Sequence, residues 1–410
     1  MAKLIFYILS FFLMSSLFCQ SENPTKAMIS GTSGGQAIEQ GLSILKSGGS
    51  AIDAAIVTAL SQIVLCAGSW VSFAGVLNLI YYDAKSNKIY DINGNYNTVL
   101  NELDPLTIPK NFNSSHNDYG RTVLVPGFMA TIAKAHELFG KIPWHDLFTP
   151  AINLAEQGII WTAALEYMFN VRKNIILRTD EGKKIFLKPD GSNYKIGDNF
   201  IQSELASTLL QIANQGPKYM YEGDWAGKSV AEVQKIGGKL NLQDLSNYEP
   251  LINEPLAWDS QKRDFTLYSH GGIARGGYDL IQALNLIEES GILDYKQDYS
   301  SSSDVLEQMI SILNLVELKY FDGGLARQYG LNRTENMIDR VFNKDIWQKV
   351  KEGIFSKEGQ PIVNLDLNTN MNLKFFPKHS DAVVVFDEEG INLIKDHKIL
   401  IIKFEVMSLQ

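Results

Sequence analysis

The segment His270-Gly271-Gly272-Ile273-Ala274-Arg275-Gly276-Gly277 holds two glycine pairs ahead of a helical stretch, a composition that can turn backbone N–H groups onto an anion. A glycine cluster before a helix is more commonly a turn, and the segment reads as one. Elsewhere the chain has no P-loop, H-E-x-x-H zinc helix, EF-hand loop, G-x-S-x-G elbow or Cys/His metal spacing. No metal or organic cofactor is implied.

The composition narrows the partners. The 410 residues are 45% hydrophobic and 20% charged, enough apolar material for a substantial core in one large domain or two closely joined ones. A net charge of -9 and the absence of a Lys/Arg run or basic aromatic stripe argue against nucleic acid. Lys3, the apolar stretch Leu4 to Phe18 and the small and polar residues after it read as a signal peptide over residues 1–20, which predicts a secreted or periplasmic protein. The rival reading, an uncleaved membrane anchor, needs about 18 unbroken apolar residues, and Ser10, Ser15 and Ser16 interrupt this run. Cleavage near Gln20 would leave Cys66 alone, so no intramolecular disulfide is expected.

Helices and strands alternate along the chain. Apolar residues at Ile38, Leu42 and Leu45, and again from Ile52 to Ile63, keep helical spacing on either side of Ser47-Gly48-Gly49-Ser50, with Ser50 placed to cap the second helix. Val76 to Tyr82 and Lys88 to Ile92 predict a hairpin across a polar turn, and Val123 to Val125 a strand stopped by Pro126-Gly127. The middle is mainly helical, with a strand at Phe265 to Tyr268 and a helix over Asp304 to Tyr320. Ala382 to Phe386, Ile391 to Ile394 and Ile399 to Phe404 are β-prone. The order suggests sheets layered with helices.

Several segments, in order, resemble the γ-glutamyltransferase family. Ala37 to Ala55, with Gly48-Gly49-Ser50-Ala51-Ile52-Asp53-Ala54-Ala55 at its end, is similar to the family's "A-x-x-x-G-L-x-I-L-x-x-G-G-N-A-x-D-A-A", Ser50 standing where Asn is usual. Val125-Pro126-Gly127, Phe139-Gly140-Lys141-Ile142-Pro143-Trp144, Ala155-Glu156-Gln157-Gly158, Leu242 to Tyr248 and Gly276-Gly277 extend the likeness over about Thr25 to Gly390. The resemblance implies a mixed α/β (α+β) fold, the four-layer αββα sandwich of N-terminal nucleophile hydrolases, here incomplete at its C-terminal side. Residues 25–379 would correspond to the large subunit and 380–410 to the start of a truncated small subunit.

The same resemblance implies chemistry. Such precursors cut themselves before a hydroxyl residue, whose freed amine becomes the base and whose hydroxyl attacks γ-glutamyl groups of glutathione and related amides. Aligning Val383 to Gly390 with the strand and turn after the family's nucleophile puts Ser380 at that position and the cut after His379. The family's "D-F-R-E", whose Arg grips the substrate α-carboxylate, falls on Asp91-Ile92-Asn93-Gly94, so Asn93 stands at the substrate-binding Arg and lacks a charged fork. Asp381 replaces a small hydroxyl residue and places a carboxylate beside the developing oxyanion. The family's second subunit, with the glycine pair of its oxyanion hole and further sheet strands, would extend well past residue 410; a separate polypeptide is one source for it. Three readings stay open: a γ-glutamyltransferase working through Ser380, a catalytically inactive homologue that binds a ligand or partner or is a truncated product, and an acylase on an amide without an α-carboxylate.

Overall fold

In the computed structural model of the chain, the residues described are 28–31, 34–69, 71–108, 119–272, 275–321, 323–354, 380–387 and 405–407. The leader expected over residues 1–20 and His379 lie outside them.

Two helices, Gly35–Lys46 and Ala51–Cys66, form an antiparallel pair as their spacing predicts. Their close contact depends on Gly41, where a Cβ would lie 2.1 Å from Thr58 Oγ1 and 2.9 Å from the Ala54 carbonyl. Ser50 accepts from the Asp53 amide at 3.2 Å, and Asp53 Oδ2 accepts from the Ser50 amide at 2.8 Å, closing a capping box. Fifteen residues of Ala51–Cys66 are buried, so this helix is apolar all round because it runs through the core. Thr58 and Ser61 return their hydroxyls to carbonyls four residues back, at 2.8 and 2.7 Å, which lets polar side chains share that interior.

Strands β2 (Val76–Asp83) and β3 (Lys88–Gly94) form the expected hairpin, in register from Leu77 opposite Gly94 to Asp83 opposite Lys88. Its turn is closed by Asn87, a residue type that tolerates the left-handed φ of 52°, and by the Asp83 carboxylate, which accepts from the Lys85 and Ser86 amides. Alternation gives the sheet two unlike faces. Leu77, Leu79 and Ile92 are fully buried against Phe128, Met129 and Ile132 of helix Phe128–Phe139, and Tyr81 and Tyr90 meet Phe139 with ring centroids 4.1 and 5.1 Å away. The other face carries Asn78, Asp91 and Asn93, all buried.

The sheet has five strands in the order β6-β3-β2-β11-β9, with β6 at Leu251–Asn253, β9 at Ser380–Asp381 and β11 at Glu405–Met407. The β-prone stretches Ile391 to Ile394 and Ile399 to Phe404 fall outside the described residues. After Ala382 the chain leaves this sheet, and β10 (Val383–Phe386) pairs antiparallel with β1 (Met28–Gly31). Val383 and Val385 enter the main core, and Asp387 Oδ2 accepts the Ala51 amide at 3.1 Å, tying the end of β10 to the N-terminus of a buried helix.

Two shorter pairings complete the β structure: β4 (Ile159–Ile160) with β5 (Asn199–Phe200), and β7 (Leu256–Asp259) with β8 (Thr266–Ser269). A second apolar cluster, with Leu286, Ile312, Leu315 and Trp347, is formed by helices Gly276–Ser290, Ser303–Phe321 and Arg340–Lys351. One expectation is corrected. Val123 to Val125 is no strand: a 3-10 turn at Tyr119–Thr122 precedes it, Pro126 follows with no N–H to donate, and only a single bridge between Val125 and Asn97 forms.

Candidate functional site

The polar face of the sheet carries Asn93, which sequence reasoning singled out, beside Asn78, which it passed over, and meets His270, which it named only within a glycine turn. Residues 91 and 93 of β3 share this face because a strand alternates with period two. Asp91, with no exposed surface, accepts from His270 Nδ1 at 2.5 Å and from the Gly271 amide at 3.1 Å. The His270 side chain is 11% exposed, and its Nε2 is buried without a partner. Asn93, 5% exposed, accepts the Asn95 amide on Oδ1 at 3.0 Å. Its Nδ2 lies 3.1 Å from where a Cβ on Gly272 would stand, and Gly272 holds a φ of +79°. Opposite Asn93 on β2 is Asn78, 3% exposed, with Oδ1 unpartnered. A buried polar atom left unpaired costs about 1–3 kcal/mol, and two such atoms lie at this face of the sheet.

The glycine segment is a turn, as its composition suggested. It brings His270 and Gly271 down onto Asp91, and Gly277 lets the helix start there, since a Cβ at 277 would lie 1.8 Å from the His270 carbonyl. Val125-Pro126-Gly127 has a similar packing role. A Cβ on Gly127 would lie 2.1 Å from both the Gly94 carbonyl and the Tyr248 hydroxyl, so this glycine lets the helix after it butt against the end of β3. Tyr248 donates to the Asn95 carbonyl at 2.6 Å, and Tyr221, stacked on it, donates to Pro126 at 2.9 Å and accepts the Ala130 amide at 3.2 Å. Burial pushes the Tyr248 and Tyr221 phenols well above their usual range and the Tyr96 phenol up to about 12, so all three stay neutral, with Tyr96 Oη buried and unpartnered.

Ser380 opens β9, which pairs with β11 at one end of the five-stranded sheet. Ser380 is in register with Met407 and Met407 with Val76, two residues before Asn78 on β2. Residues 380, 76, 78 and 93 therefore share one parity of the pleat, and three strand spacings of about 4.8 Å separate β9 from β3, about 14 Å. The sheet thus carries positions 93 and 380, while the expected cut site after His379 is outside the described residues. A short Asn side chain at 93 cannot cover the distance that an Arg would.

The missed residues were legible only in part. Asn78 is a lone polar residue in an apolar run, and hairpin pairing would have set it opposite Asn93. His270 gave no local signal, because its partner is 179 residues away in sequence.

Comparison with known proteins decides the family: residues 37–391 match the family described as Gamma-glutamyltranspeptidase. The chain belongs to the γ-glutamyltranspeptidase family. It is 28% identical over 365 residues to Scoloptoxin SSD14 of Scolopendra dehaani, covering 85% of this chain and 60% of the relative. It is 32% identical over 264 residues to a glutathione hydrolase proenzyme of Pseudomonas aeruginosa, covering 62% of this chain and 44% of that one. Its fold resembles the γ-glutamyltranspeptidase of Helicobacter pylori, with a TM-score of 0.68 at 24% identity over 80% of this chain and 93% of that one. The α+β fold of N-terminal nucleophile hydrolases follows, as the resemblance implied. This member of the family spans about half the length of the curated relatives it matches. Among its described residues, no helix is long and apolar enough to cross a membrane.

Proposed function

We propose that the chain is an exported γ-glutamyltransferase-like protein that takes γ-glutamyl amides such as glutathione and attacks them with Ser380 after cutting itself at His379-Ser380. What carries the reading is the placement of positions 93 and 380 on one parity of the same sheet, within a match to the family over residues 37–391. Residues 1–20 would be the leader, residues 25–379 the large-subunit-like region, and 380 onward the start of the small-subunit-like region, completed by further polypeptide.

The steps follow from the groups available. The Ser380 hydroxyl adds to the His379 carbonyl, the acyl group moves from nitrogen to oxygen and so frees the amine of Ser380, and water then hydrolyses the ester, returning the Ser380 hydroxyl and leaving a carboxylate on His379. That amine then takes the hydroxyl proton as Ser380 Oγ attacks the γ-glutamyl carbonyl; the amine product leaves, and water or an acceptor amine releases the acyl group. Each oxyanion donor that is missing lowers the rate by about 100- to 1,000-fold, so a partner completing the fold would raise activity steeply.

A second reading is favoured by one observation: the residue at the carboxylate-gripping position is the buried, uncharged Asn93, whose Oδ1 is already engaged by Asn95. On that reading the protein holds a ligand without cutting it. A chromogenic γ-glutamyl amide separates the two. Release of the chromophore by the purified secreted protein, abolished by Ser380→Ala, is the expected outcome; equal release by both proteins, or none by either, would favour the second reading.

A further inference from the structure

A cavity of about 650 Å³, within the range of small-ligand sites, shares no residue with the polar sheet face or with Ser380. Its walls come from the end of helix Gly276–Ser290 with Gly291 and Asp294, the turn between β7 and β8 at Gln261-Lys262, and one side of helix Arg340–Lys351. Hydrogen bonds fix part of this wall. Glu288, whose side chain is 4% exposed, accepts from the Ser260 hydroxyl at 2.6 Å, the Gln261 amide at 3.0 Å and Arg340 Nη1 at 2.7 Å, and the Arg340 guanidinium lies 5.1 Å from the Trp258 ring centroid. Seven charged side chains line the cavity, and four of them cancel in pairs, Glu288 with Arg340 and Lys262 with Asp294, the latter at 3.0 Å. Three remain: Lys344 and Lys351, both exposed, and half-buried Glu289, none of them in an ion pair among the described residues.

We infer that this cavity is a second binding site, for a small acidic peptide with a free amine. Lys344 and Lys351 lie two turns apart on one face of their helix, about 10 Å along its axis, which is the reach of about three extended residues. Two ammonium groups at that spacing match two carboxylates on one short peptide. Glu289 stands next to the last residue of its helix, where the partial negative charge of the free carbonyls adds to its own, so this side of the cavity favours an ammonium group. Two lysines against one Glu leave the lining with an uncompensated charge of +1, and a tripeptide with two carboxylates and one amine carries the complementary -1 at pH 7. A neutral peptide leaves one lysine unmatched, and a dicarboxylate without an amine meets Glu289 with like charge. The chain's net charge of -9 repels anions elsewhere, which makes a locally cationic cavity a selective place for one.

The test is titration calorimetry at pH 7 and low salt on the purified wild-type protein with the tripeptide Ala-Glu-Gly, its isostere Ala-Gln-Gly and N-acetylated Ala-Glu-Gly. These peptides have no γ-linked amide, so the outcome is independent of the Ser380 chemistry, and Ser380→Ala should bind them as the wild type does. Ala-Glu-Gly should bind at least about fivefold more tightly than either of the other two. Lys344→Gln and Lys351→Gln, at exposed positions outside the core, should each remove most of the preference over Ala-Gln-Gly, and Glu289→Gln most of the preference over the acetylated peptide. Equal binding of the three peptides by the wild type, binding of none, or preferences undiminished in the variants would overturn the inference. Each of those results leaves the γ-glutamyl reading standing, because release from a γ-glutamyl amide and its loss in Ser380→Ala are measured separately.

Discussion

Asp53 shows how much one side chain can fix. Its Oδ2 closes the capping box with Ser50 and also accepts the Lys141 and Ile142 amides at 2.9 and 3.1 Å, so one carboxylate joins the helix start to a loop 88 residues on. The matched segments around Asp53 and Lys141-Ile142 were legible as a family pattern, but their contact was not. The departure at Ser50 is physically mild, because Ser and Asn cap helices about equally well. Asp53→Ala should lower stability by about 2–4 kcal/mol, read as a drop in the urea midpoint with an unchanged slope. At the candidate site, Asn93 and the Asp91 segment could be read from sequence. His270 could not, because a hydrogen bond between segments 179 residues apart leaves no periodicity to find.

At the scale of elements, the legible parts were the long periodic ones: the helical pair after residue 35, the β2–β3 hairpin and the strand at Val383–Phe386. Strands of two or three residues, such as β4, β5 and β6, escaped notice because so few positions carry no recognisable alternation. The β7–β8 hairpin is held to its helices by Glu288. Burial raises the pKa of this carboxyl, but the Ser260 hydroxyl, the Arg340 guanidinium and the Lys262 and Gln261 amides outweigh it and hold the group below its ordinary 4.5. A carboxyl with a depressed native pKa contributes fully above its unfolded value, and the contribution is lost as pH falls through the native one. Helices Gly276–Ser290 and Arg340–Lys351 should therefore loosen as pH drops below about 4.5, seen as faster amide exchange in both, and Glu288→Gln should flatten that dependence.

For the whole molecule, family and fold class were legible, because matched segments spread over most of the chain. How the C-terminal strands join the fold was not: β10 pairs with β1 and buries Val383 and Val385, while β9 adds to a different sheet. Stability at high pH is a property of the main core. Buried Tyr221 and Tyr248 and half-buried Tyr96 have phenols raised above their ordinary 10.0, so their neutral forms are favoured in the native state. That contribution is full below pH 10 and is lost as the pH rises above it, because the unfolded chain ionises first. Thermal midpoints should fall above pH 10, and Tyr221→Phe should reduce the fall while lowering stability at pH 7 by about 1–2 kcal/mol through two lost hydrogen bonds.

Whether Ser380 is a nucleophile released by cutting the chain, as proposed, is decided by the intact mass of the purified secreted protein. Two chains parted between His379 and Ser380 are expected in the wild type and a single uncut chain in Ser380→Ala. An uncut wild-type chain, or cleavage that persists in Ser380→Ala, would contradict it.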